Sequence, residues 1–175
     1  IGRWPWDRKR MATLIGKLFD QYGISLLGVD IVFAEPDESS GLKTLEALAA
    51  TEFRNDNAFQ ANLQRLRAQL DYDNLFAESL KGRPVILGYY LSNRSEGTAT
   101  GILPAPVLPA GTFRGRNIPF TSWTSFGANL ARFQQAALGA GHFNPLVEFD
   151  GISRRVPMIA EYKGEYFEAL SLAMV

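Results

Sequence analysis

The chain has no cysteine and one histidine, its charges balance, and it has no long apolar run; each of these closes off a class of function. Without cysteine there is no disulfide framework, thiolate metal site or cysteine nucleophile. A lone histidine, His142, cannot build a histidine-rich zinc centre. Lys plus Arg equals Asp plus Glu at 18 each, which removes any overall electrostatic case for nucleic acid or another charged polymer. No apolar stretch reaches the roughly 20 residues that span a bilayer. There is also no Walker A loop, G-x-S-x-G elbow or H-E-x-x-H, and Gly139-Ala140-Gly141 lacks the third glycine of a dinucleotide fingerprint.

What remains is a chain of 175 residues, 46% apolar, that can bury about two-thirds of its unfolded surface as a single soluble domain. Ile24–Asp37 carries a continuous apolar run, as expected of a strand covered on both faces, and is read as the central strand. Asp30 lies within it and looks buried, and Glu35 and Asp37 follow at its end, where open α/β sheets bind ligands. A second such run, Pro84–Leu91, predicts another core strand.

Helices are predicted around these runs. Asp7 is placed to cap a helix whose apolar residues Met11, Leu14, Ile15, Leu18, Phe19 and Tyr22 share one face, with Gly23 as its stop. Leu42, Leu45 and Leu48, then Phe59, Leu63, Leu66 and Leu70, then Leu75, Phe76 and Leu80 mark three more. Asn93–Ser125, rich in Pro and Gly, shows no lasting periodicity, and so long an irregular stretch is expected only where it is functional or wraps the surface. A helix is expected from Gly127 to the Gly139–Gly141 pair. His142–Phe149 and Ile152–Tyr162 read as antiparallel strands with turns at Asp150-Gly151 and Lys163-Gly164, and Tyr166–Val175 as a helix. The fold class is therefore α/β, a central mixed sheet with parallel core strands flanked by helices and a C-terminal antiparallel hairpin.

Three groups of residues could carry chemistry. Asp30, Glu35 and Asp37 offer oxygen ligands suited to a hard cation, although a sheet hydrogen bond for Asp30 and helix or turn capping for the other two account for them more simply. His142, Asn144, Asp150, Arg154 and Arg155 are the densest polar group of the second half; converging on one face they would recognise a carboxylate or phosphate, and otherwise they are a turn, a local ion pair and a satisfied histidine. Asp71 and Asp73 resemble the start of a calcium loop, but Phe76 stands where glycine is required, so they are expected to cap a helix. Trp4 and Trp6 beside Arg8, Lys9 and Arg10 fit either a membrane-interface belt or a hydrophobic staple on the first helix.

In order along the chain, GRWPWDRKRMATLI, GVDIVFAEPD, NLFAESLKGRPVILGYYL and GAGHFNPLVEFDGISRRVPMIAEYKGEYFEALSLA resemble the CHASE domain of the second type, a sensory extracellular module associated with cyclases and histidine kinases. The resemblance implies the extracytoplasmic, periplasmic or extracellular, sensor of a bacterial cell-membrane receptor. Trp4 and Trp6 would then be membrane-proximal. RWPW would follow one membrane helix and FEALSLAMV would lead toward the next, both helices lying outside this chain. The effector would be an adenylate or diguanylate cyclase, a histidine kinase of a two-component system, or a Ser/Thr kinase. The domain itself is expected to be non-catalytic, to need no cofactor or metal, to answer a small-molecule signal, to act as a homodimer in the receptor and to bind no nucleic acid. The competing expectations are a divalent-metal-dependent hydrolase-like enzyme built on Asp30, Glu35 and Asp37, and a dimerisation module.

Overall fold

A computed structural model describes residues 4–93 and 99–175. The fold is mixed α/β, and the chain divides into two compact units: Ile1–Gly23 with Pro36–Lys81, and Ile24–Glu35 with Gly82–Val175.

The first unit is helical. α1, Arg8–Gly16, starts as its sequence demands: Asp7 stands in extended backbone and its carboxylate accepts the Arg10 N–H at 2.7 Å. Beyond Gly16 the helix widens into a π turn, Lys17–Gln21. The extra residue per turn rotates the later positions off the apolar face, so Met11 and Ile15 are buried while Tyr22 is 75% exposed. α1 packs on α4, Tyr72–Leu80, whose Phe76, Ala77 and Leu80 are buried; removing the two larger side chains from water contributes about 2 kcal/mol each. α2, Leu42–Ala50, packs on α3, Asn57–Leu70, which Asp56 caps by accepting the Phe59 N–H. Asp71 caps α4 in the same way through Asn74.

The second unit is built on β2, Val85–Ser92, whose Val85, Leu87 and Tyr89 are fully buried. It pairs in parallel with β1, Leu27–Val29, on one side and with β5, Gly139–His142, on the other. Its last residues pair antiparallel with β4, Ser125–Gly127. The centre of the sheet is thus β2, and the long strand expected at Ile24–Asp37 is reduced to three residues with a single strand partner. β1 stops because the backbone beyond it is held by a side chain: buried Asn129 accepts the Phe33 N–H at 2.8 Å and donates to the Gly88 carbonyl at 3.0 Å. The helix expected from Gly127 is confined to α5, Ala131–Ala136, and the glycine pair read as its stop is the start of β5.

The Pro/Gly-rich stretch, of which residues 94–98 lie outside the described residues, wraps a second sheet. β3, Thr121–Trp123, pairs with β8, Ile159–Tyr162, which pairs with β9, Glu165–Glu168. Val107 and Leu108 bond to Tyr166, whose ring packs against Phe113 and Phe120 at 4.9 and 4.8 Å. β8 and β9 are joined through Lys163 and Gly164, both at positive φ (53° and 82°), the backbone a two-residue hairpin requires. The Asp150-Gly151 turn also forms, between β6, Leu146–Val147, and β7, Ser153–Arg155. The C-terminal segment is β9 followed by one helical turn, α6, Leu170–Ala173, in place of a helix from Tyr166.

Candidate functional site

The strand-end acids have separate roles. Asp30 is exposed, contrary to its expected burial, and Glu35 is exposed as well. Asp37 serves the start of α1, accepting the Arg8 N–H at 2.6 Å and the Ser39 N–H at 2.8 Å. Burial pushes its carboxyl up, but these hydrogen bonds and the Arg8 charge outweigh that and hold it below the ordinary carboxylate value. The Asp37 N–H in turn donates to both oxygens of buried Asp73, which faces Arg8 at 3.8 Å. Capping therefore accounts for Asp37, and Asp73 is a partly desolvated ionic anchor within the first unit. Among the described residues no three His, Asp or Glu side chains form a group that could hold a metal ion.

The polar group of the second half separates into a buried part and an exposed part: its members do not converge on one face, and the simpler reading of a turn with local ion pairs describes Asp150, Arg154 and Arg155. Arg154 and Arg155 stand exposed on β7 and are neutralised inside their own hairpin. Arg154 meets Glu148 and Asp150 at 2.9 Å each, and Arg155 meets Glu148 at 3.2 Å. The Asp150 carboxyl is held down chiefly by Arg154. His142, by contrast, is fully buried on β5.

Asn144, two residues past the end of β5, replaces a strand residue with a side chain. Its carboxamide accepts the Leu91 N–H at 2.7 Å and donates to the Leu91 carbonyl at 2.6 Å, extending the pairing of β2 beyond His142. It is a structural bracket for the carboxyl end of the parallel sheet.

His142 and Tyr89 form the centre of the site. They are register partners on β5 and β2, both inaccessible to solvent, with ring centroids 6.4 Å apart in an edge arrangement. Among the described residues neither ring nitrogen of His142 nor the Tyr89 hydroxyl has a hydrogen-bond partner. Buried polar groups are nearly always paired, and each unpaired one costs about 1–3 kcal/mol. Burial drives the His142 pKa down to about 4, and it holds the Tyr89 phenol well above its ordinary value with a further push from Glu168. Both side chains are therefore neutral at physiological pH.

The pair lies where the C-terminal segment docks. The His142 backbone bridges Ala169, the residue before α6. Its neighbour Gly141 lies so close to α6 that a Cβ there would stand 2.5 Å from the Leu170 nitrogen. Glycine is required for that approach. On β1, a Cβ on Gly28 would collide with the Met174 side chain.

Tyr89 sits in an apolar run and gave no sign of a polar role in the sequence; the repeated Tyr in LGYY is the only hint available. Asn129 has no such signal, because its role depends on Phe33 and Gly88, far away in the chain. Trp4 and Trp6 meet edge to face at 5.8 Å at the start of the first unit, with Trp4 exposed. A groove of about 330 Å³ between α2 and α3, lined by Ala49, Leu63, Gln64 and the Glu46–Arg67 ion pair, contains none of the candidate site residues.

Among known families, the model of the CHASE2 domain matches residues 1–175, the whole chain. Comparisons with curated proteins and with solved structures return no match.

Proposed function

Because the chain belongs to the CHASE2 domain family, the sensory extracellular domains of cyclase and kinase receptors, we propose that it is the extracytoplasmic, non-catalytic sensor of a bacterial membrane receptor. The observation that carries this is the family match along the full length, including the segments around Tyr89, His142 and Ala169. Among the described residues no helix is long and apolar enough to cross a membrane. The effector is a cyclase or kinase on the other side of the membrane, and the signal is small and diffusible.

The physical route from signal to effector runs through the C-terminal segment. A signal acts only by interacting differently with two states, and α6 rests on β5 beside two unpaired buried polar side chains. The test is receptor output in membranes with the domain intact and with the domain replaced by an unrelated folded one. Regulation should be lost in the replacement, and regulation that survives it would refute the sensory role.

A second reading, that the domain also pairs receptor copies, is favoured by the β6–β7 hairpin. Val147, Phe149 and Ile152 are exposed there, Phe149 completely, beside charges that sum to zero. Sedimentation at increasing concentration should show a dimer that Phe149→Ser weakens; a monomer throughout would remove this surface.

A further inference from the structure

We infer that Tyr89 and His142 form an acid-operated latch on the C-terminal segment, in which a proton taken up by the His142 ring releases Ala169–Ala173 from β5. This deepens the sensory reading and rests on it, naming the proton as the signal.

The geometry leaves a charged imidazole without a partner. β5 packs against β2, β9 and α6. From β2 comes the neutral Tyr89; β9 brings Glu168, which acts on Tyr89, together with the half-buried Glu165 at its other end; Leu170, Ser171, Leu172 and Ala173 of α6 cannot titrate. Burial alone sets the His142 equilibrium, with no carboxylate offsetting it. A second ring N–H formed in this core would be a desolvated cation, so protonation and opening must occur together.

The segment that opens is held less strongly than the β2–β5 ladder. β2 and β5 share four consecutive register pairs, and Asn144 extends that ladder. α6 has four residues and no side-chain cap, and a single turn does not hold itself in water. Its attachment includes the His142–Ala169 bridge, the Ala169 N–H to Met158 carbonyl bond at 2.9 Å, the close seat on Gly141, packing against β2 and the Met174 side chain against Gly28. Opening it exposes His142 while the parallel sheet stays intact.

The experiment uses this chain and two readouts. His142 is the only histidine, so its ring resonances are unambiguous in NMR. Amide exchange, corrected for intrinsic rates, reports protection of Ala169, Leu172 and Ala173 against that of β2 and β5. With the folded-state value near 4 and an ordinary value of 6.5, protection of the C-terminal amides should fall about 30-fold between roughly pH 7.5 and pH 5 while staying well below that of the β2–β5 ladder at every pH, the mark of an opening smaller than global unfolding. In His142→Phe the fall should disappear. If that variant does not fold, the ring titration in the unchanged chain decides. A His142 that titrates near its ordinary value with α6 still protected overturns the latch, and so does C-terminal protection equal to that of the β2–β5 ladder, which would mean that only global unfolding exposes the ring. Receptor output separates the two levels: an output that depends on the domain but not on pH refutes the latch alone, and an output indifferent to the domain refutes the sensory reading as well.

Discussion

Replacing Asn129 with alanine should destabilise the second unit more than any surface change. The carboxamide is inaccessible to solvent and closes two backbone groups, the Phe33 N–H at 2.8 Å and the Gly88 carbonyl at 3.0 Å. Phe33 is itself buried, so its N–H has no route to water in the folded state, and Gly88 lies in the middle of β2. Leaving a buried backbone group unpaired costs about 1–3 kcal/mol, so the two together amount to roughly 2–6 kcal/mol. Against a typical domain stability of about 5–15 kcal/mol, that is a large fraction. Urea unfolding followed by tryptophan fluorescence should show the midpoint falling with an unchanged slope, since no surface is added to either state. The added cost should appear with Asn129→Leu as well, which restores volume but not the hydrogen bonds. A loss below about 0.5 kcal/mol in the alanine variant would refute the reasoning, because it would mean that the two backbone groups find other partners.

Asn144→Ala should likewise cost about 2–6 kcal/mol by the same assay, because it strips both backbone groups of Leu91 at the end of β2. Arg154→Ala with Arg155→Ala should change stability by less than about 1 kcal/mol, their ion pairs being exposed, and an anion-dependent thermal shift abolished by the pair would restore the anion site that the geometry disfavours. The stability curve should lose ground on acidification in two windows. The folded value of His142 is depressed from 6.5 to about 4, so its contribution is present above 6.5 and is lost as pH falls toward 4, amounting to about 3 kcal/mol. Asp37 is also depressed, from 3.8, so its contribution is present above 3.8 and disappears only below that. Asp37→Asn should shrink the lower window, to which the depressed Asp150 also contributes, and leave the upper one.

Much of the framework was legible because it follows from local rules. The caps at Asp7 and Asp71, the helical faces and the Lys163-Gly164 turn require nothing from distant residues. The apolar run of β2 needed only that the strand be buried on both faces. The same logic failed at Ile24–Asp37, where an equally apolar run forms three residues of strand because Asn129, almost a hundred positions away, holds the Phe33 N–H. β5 was hidden because Gly139-Ala140-Gly141 is a poor strand by composition. Gly141 is required by the close seat of α6 on the backbone, whereas a Cβ on Gly139 would meet only the Ile86 side chain, at 3.4 Å. The candidate site was half visible. His142 stood out as the single histidine, but its partner Tyr89 lies across the β2–β5 register, and its predicted neighbours Arg154 and Arg155 are held in a separate exposed hairpin. Asp37 and Asp73 read as caps and ligands alike until Arg8 was placed beside them.

The central claim is that the state of the sensory core is read at the junction of β5 with the C-terminal segment, and Gly141→Ala tests it without any change of pH. The added methyl group would stand 2.5 Å from the Leu170 backbone and must lift α6. Effector activity of the receptor carrying this domain, measured in membranes at neutral pH with β2–β5 amide protection confirmed, should shift to the level that the unchanged receptor reaches only in acid. Activity identical to the unchanged receptor at neutral pH, with α6 shown by exchange to be displaced, would contradict the account.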